Sequence, residues 1–213
     1  FDRVRWRCPL SRTALDGWHC DGPLQGSGGA PLRLALDLSS AITDAVLSGD
    51  GARIALHRNA ATPDATQIDL TRVPLAWAQA LLAQAWADGR VGKGIVDGQA
   101  TLETPTARPL RIDARLALSQ VALESRDGSI AIGDLRARLD LDYRQPANAG
   151  ALLAIDATLQ GGELLYGNTY VALTDAPVHA RIDARQLAHG GWGVPHLSWQ
   201  DGDALAVEGA ATL

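Results

Sequence analysis

The stretch Leu110-Arg-Ile-Asp-Ala-Arg-Leu-Ala-Leu-Ser119 alternates without a break: Leu110, Ile112, Ala114, Leu116 and Leu118 fall on one side, and Arg111, Asp113, Arg115, Ala117 and Ser119 on the other. A period of two belongs to a β-strand, whose successive side chains point to opposite faces, so this strand has one aliphatic and one polar face. The pattern extends outward in both directions. RIDAR at Arg111–Arg115 returns at Arg181–Arg185, and AIDAT at Ala154–Thr158 lies between them, each with Ile on the aliphatic side and Asp on the polar side. Two such copies and one variant suggest a sheet that grows by adding strands, as solenoids and extended grooves do.

Seven Asp-Gly dipeptides, at Asp16, Asp21, Asp50, Asp88, Asp97, Asp127 and Asp201, punctuate the chain. Asp-Gly is the strongest short-range hairpin signal, because a type I′ turn needs positive φ at both central residues. Strands are predicted before and after these turns, including Arg3–Cys8, Trp18–Cys20, Leu32–Leu38 and Ala52–His57. Further along, separate strands are predicted at Leu110–Leu118 and Val121–Ser125, and at Ser129–Ile132 and Leu135–Tyr143. Gln145–Gly150 and Thr104–Pro109 read as hairpin loops rather than domain boundaries, so residues 1–213 are treated as a single β-rich segment.

The period changes once. From Pro74 to Trp86 the run PLAWAQALLAQAW carries no charge, and Leu75, Ala78, Leu82 and Ala85 recur at helical spacing. Pro74 suits a first helical position and Asp88-Gly89 a stop, which predicts one short helix near 74–87.

Composition narrows the function. The chain has 213 residues, 46% of them hydrophobic, and a net charge of −5 spread evenly. It is long enough to bury a sizeable core and has no basic stripe to track a phosphate backbone, and aromatics are scarce at 5%, with one Phe and three Tyr against six Trp, which leaves few stacking platforms. Nucleic acid is therefore not an expected partner. No window approaches 18 uninterrupted apolar residues, so nothing in the segment spans a bilayer as a helix. Phe1 opens directly on a strand-like run, and Leu205–Leu213 alternates to the last residue, which suggests an excerpt of a longer chain.

Cys8 and Cys20 flank the Asp16-Gly17 turn. If Val4–Cys8 and Trp18–Cys20 pair as a hairpin, the thiols face each other at disulfide distance, which points to an oxidising compartment such as the periplasm. Two unrelated buried thiols, or an incomplete metal set with His19, are the alternatives.

Signals for chemistry are weak. Ser27, in Gly26-Ser27-Gly28-Gly29, lacks the strand and helix of a nucleophile elbow. Gly92-Lys93-Gly94 feeds a strand and lacks Walker spacing, so it reads as a glycine-rich bend. Asp140 and Asp142 share a face with Arg136 and Arg138, as a solvated ion-pair ladder does. The five histidines show no metal spacing; His189 and His196 bracket a loop without other ligands, and Trp192 and Trp199 read as packing residues. No catalytic residue, cofactor or metal is expected, and the chain does not read as an enzyme. What remains is the aliphatic face, which is either the inside of a closed β-sandwich or a surface that curls around a ligand. Alternation alone fits both.

Several stretches resemble the AsmA-like group of bacterial envelope proteins, in particular its YdbH-type members. They are TRVPLAWAQALLAQAWADGRVGKGIVDGQATL from Thr71 to Leu102, LQGGELLYGNTYVALTDAPVHARIDA from Leu159 to Ala184, and HLSWQDGDALAVEGAATL from His196 to Leu213. The likeness covers about two thirds of the chain and leaves the first seventy residues, with Cys8 and Cys20, outside it. It implies a periplasmic protein of the Gram-negative envelope, anchored in the inner membrane by a helix outside this segment. The implied fold is a mostly β, antiparallel, meandering curved sheet forming a taco-like hydrophobic groove. The implied work is phospholipid transport between the inner and outer membranes, with a small outer-membrane lipoprotein joining by strand addition at an open edge. Under that reading the lining is Leu110, Ile112, Leu116, Leu118, Leu135, Leu139, Leu141, Ile155 and Leu159. The alternative is a structural or interaction module of an envelope or secretion assembly with a closed β core.

Overall fold

The structure, a computed structural model, describes residues 5–13, 16–25, 31–79, 87–105, 110–147, 149–188 and 190–212. Their alternating segments pair into one antiparallel sheet. Its strands are β1 (Arg5–Trp6), β2 (Leu10–Arg12), β3 (Trp18–Gln25), β4 (Leu32–Leu38), β5 (Ile42–Gly49), β6 (Ala52–Asn59), β7 (Ala65–Pro74) and β8 (Gly89–Glu103). They continue as β9 (Leu110–Ser125), β10 (Ile130–Gln145), β11 (Leu152–Gln160), β12 (Glu163–Tyr166), β13 (Thr169–Ala172), β14 (Val178–Gln186), β15 (Trp192–Asp201) and β16 (Leu205–Thr212). From β3 to β11 each strand lies beside the next in sequence, and β14, β15 and β16 extend the same meander. The β12–β13 hairpin departs from it by pairing with the first residues of β10. The sheet is open and curved.

Asp50 (φ 51°) and Gly51 (φ 75°) make the two-residue link between β5 and β6, both left-handed as a type I′ turn requires. Asp127-Gly128 and Asp201-Gly202 also sit in hairpin turns. Asp21-Gly22 and Asp97-Gly98 do not: they lie inside β3 and β8. There the glycine supplies room. A Cβ on Gly22 would stand 2.1 Å from the Arg7 carbonyl oxygen, and one on Gly98 would stand 2.2 Å from that of Arg115. The Asp97 carboxylate accepts the Arg72 backbone N–H at 2.7 Å, beside a bulge between Leu70 and Val73.

Two predicted strand breaks are bulges instead. β9 and β10 each run 16 residues. Gln120 (φ 53°) and Asp134 (φ 50°) mark the irregular points, where the register slips on both sides of Leu135. A bulge inserts a residue and bends the strand without ending its ladder. The predicted helix opens as a 3-10 turn over Leu75–Ala78, with Gln79 helical, and the remainder at 80–86 lies outside the described residues.

Cys8 and Cys20 form a disulfide with Cα atoms 5.5 Å apart. The hairpin around it differs from the predicted one. Leu10–Arg12 pair with Trp18–Cys20, whereas Cys8 lies in the irregular link between β1 and β2 that passes over Gly22.

Burial is concentrated at one end of the central strands. Val121, Leu135, Leu173 and Val178 form the buried cluster, with Val121 at 2% and Val178 at 1% exposure. Leu75 from the 3-10 turn and Leu164, Leu159 and Trp199 pack against it. Elsewhere the sheet is thinly covered: among the described residues Leu135 and Leu173 are the only buried leucines, and no isoleucine is buried. The accessible surface is 14005 Å². A compact monomer of 22.4 kDa exposes about 9,400 Å², so this sheet exposes roughly half as much again.

Candidate functional site

Directly opposed residues in an antiparallel ladder share a face, so the register assigns every side chain to one of two surfaces. On the aliphatic surface one row starts with Cys20, Leu36, Ala45, Leu56, Ile68 and Ala100 on β3 to β8. It continues through Ala114, Leu141, Ile155, Ile182 and Leu197 to Gly209 on β16. Two residues along each strand a second row starts with Gly22, Leu34, Leu47, Ile54, Leu70 and Gly98. It continues through Leu116, Leu139, Ala157, Ala180 and Trp199 to Val207. Both rows cross twelve strands without a charged or polar side chain. At one strand every 4.8 Å they are about 50 Å long.

Most of these side chains are half-buried, and Leu56 is 37% exposed. The predicted lining residues divide accordingly. Leu116, Leu139, Leu141 and Ile155 stand in the two rows. Leu118 and Leu159 flank Ala137 in a third row that merges with the buried cluster. Ile112 faces Tyr143, and Leu110 faces Gln145 at the strand end. Leu135 belongs to the packed cluster. The bulges beside it shift its register, an effect that pure alternation misses. Leu34, Leu36, Leu47, Ile54, Ile68 and Leu70, which the predicted lining omits, stand in the same rows. Their signal was present in the alternation of Leu32–Leu38 and the hairpins after it; only the register links those strands to β9 and β10.

The opposite face is charged and cross-linked. His19 Nδ1 lies 2.6 Å from Asp37, and His57 Nδ1 lies 2.5 Å from Asp44. Arg111 reaches Asp113 at 2.8 Å and Asp142 at 3.2 Å, and Arg144 binds Asp142 at 2.8 Å. Arg144 is the leading cause holding the Asp142 carboxyl below its usual range. Arg115 approaches Asp140 at 3.6 Å, and Arg181 approaches Asp156 at 3.4 Å. Asp140 and Asp142 thus sit in an ion-pair ladder, with cations from β9 and β10; Arg136 binds Asp175 instead.

The weaker chemical signals resolve locally. Lys93 of Gly92-Lys93-Gly94 binds Asp134, and the glycines flank a bulged stretch of β8. His196 approaches Asp183 at 3.3 Å, while His189 and Ser27 lie outside the described residues. Trp199 packs against the buried cluster. Among the described residues no three His, Cys, Asp or Glu side chains gather as metal ligands. No family model, curated protein or solved structure matches the chain.

Proposed function

We propose that this chain is a segment of a periplasmic protein of the Gram-negative envelope whose aliphatic face forms a groove for phospholipid acyl chains in transit between the inner and outer membranes. The observation that carries the reading is the pair of apolar rows, unbroken over twelve strands and left half-exposed. A phospholipid leaving a bilayer exposes acyl CH₂ groups at about 0.8 kcal/mol each, so one 16-carbon chain costs on the order of 12 kcal/mol in water. Leu, Ile, Val and Ala remove that cost for chains of many lengths, because they bring no polar atoms that demand partners. The acyl chains lie across the strands, as the rows do. In this reading the packed cluster of Val121, Leu135, Leu173 and Val178, which Leu118, Leu159 and Trp199 adjoin, is the flank of the path.

The Cys8–Cys20 disulfide suits an oxidising periplasm. In this reading an inner-membrane anchor lies elsewhere in the full-length protein, and a small outer-membrane lipoprotein adds a strand at an open sheet edge. The second reading is a structural or interaction module of an envelope assembly, for which the packed cluster of Val121, Leu135, Leu173 and Val178 is the closed β core.

Native mass spectrometry with lipid extraction, on protein purified from a bacterial periplasm, tests the first reading. Phospholipid at defined stoichiometry, lost in Leu116→Asp, is the expected result. A clean apo mass for the wild-type protein would replace the groove with the structural module.

A further inference from the structure

The polar face repeats one charge arrangement in two places, with different cations. On β9, β10, β11 and β14 the directly opposed residues read Arg115, Asp140, Asp156, Arg181, so two facing carboxylates are flanked by two arginines. On β3, β4, β5 and β6 they read His19, Asp37, Asp44, His57: again two facing carboxylates, now flanked by histidines. Like charges directly opposite each other destabilise a ladder unless neutralised. Arginine neutralises them at every physiological pH, whereas an imidazole ordinarily changes charge between pH 5 and 8.

We infer that the His19–Asp37–Asp44–His57 row is an acid-strengthened clasp, which ties β3–β6 together in mildly acidic surroundings and loosens them as pH rises. With both imidazoles protonated the row carries two positive and two negative charges. With both imidazoles neutral only the two opposed carboxylates remain charged. The remaining charged groups on this face around the row do not restore the balance. Asp21 and Arg33 are tied to each other at 2.7 Å, and Arg53 on β6 and Asp69 on β7 lie at the row's flank. Ser11 of β2 and Gln67 of β7, which face the two histidines from outside, are neutral. The arginine row elsewhere in the same sheet is an internal control. The inference rests on this geometry alone and does not depend on the lipid reading.

Amide hydrogen exchange followed by mass spectrometry, corrected for intrinsic rates, compares the two rows in one molecule at about pH 6 and about pH 8. Two half-exposed pairs predict a loss of protection of about 2–30-fold in β4 and β5 on going to the higher pH, with β10 and β11 unchanged. The His19→Arg/His57→Arg double variant should hold its protection at both values. The Asp37→Asn/Asp44→Asn variant should likewise be insensitive to pH, and it decides the matter if the arginine variant does not fold. An equal loss in both rows, or a loss that persists in the variants, would overturn the inference.

Discussion

Replacing Leu139 by Asp separates an open aliphatic face from a closed core. Leu139 stands in the second apolar row, between Leu116 on β9 and Ala157 on β11, and it is only half-buried. Burying a leucine fully is worth about 1.5–3 kcal/mol, so losing its partial burial costs about 1–2 kcal/mol. An added carboxylate at that depth reaches water and adds little more. Val121 supplies the contrast: it is 2% exposed and enclosed by Leu135, Leu173 and Val178. Val121→Asp removes a fully buried side chain and places an unpaired carboxylate in apolar surroundings, for a total above about 5 kcal/mol, comparable with the whole stability of a domain. Urea unfolding, followed by far-ultraviolet circular dichroism and tryptophan fluorescence, reads both changes. Leu139→Asp should fold with a modestly lower midpoint, and Val121→Asp should fail to fold. If the two variants lose stability to the same extent, a second layer covers the rows, and the reasoning from half-burial is wrong.

Two further outcomes follow from local contacts. Reducing the Cys8–Cys20 disulfide, which closes a separation of 12 residues, should lower stability by up to about 3 kcal/mol, measured by urea titration with and without reductant. In the β9–β10 turn the buried Ser125 hydroxyl donates to Asp127 at 2.6 Å and accepts the Ile130 N–H at 2.9 Å, so Ser125→Ala should cost about 1–2 kcal/mol. The Ser125 hydroxyl, with the Ser129 N–H and hydroxyl, holds the Asp127 carboxyl down at about 2. Because that value is depressed on folding, the stabilisation is present above the ordinary carboxylate range and is lost as pH falls towards 2. An acid titration of stability should show this loss in the wild-type protein and a smaller one in Asp127→Asn.

Much of this architecture is legible along the chain because strand alternation is a local property. The stretch Leu110–Ser119 assigns its own faces, and the Asp50-Gly51 turn follows from the φ values those two residues tolerate. The proximity of Cys8 to Cys20 was visible from their spacing around a turn, although β2 rather than the Cys8 segment pairs with Trp18–Cys20. Bulges are harder to read. The predicted breaks near Gln120 and Asp134 carry the residue types of a turn, and both residues are left-handed, yet the ladders on either side resume beyond them and carry β9 and β10 on as single bulged strands. The same residue types therefore end one strand and only bend another, according to what pairs beside them.

The amino-acid sequence by itself determined that this is an antiparallel β protein with one aliphatic and one charged face, because the two-residue period is written into each strand. The tertiary structure decided which strand's leucine meets which neighbour's: the joining of Leu34, Leu70, Leu116 and Leu139 into one row, the enclosure of Leu135, and the facing of Asp37 with Asp44. Those outcomes depend on register between strands and on what covers the sheet. Both are set by pairings distant in the chain, and a period of two reads the same whether the face it describes is closed or open.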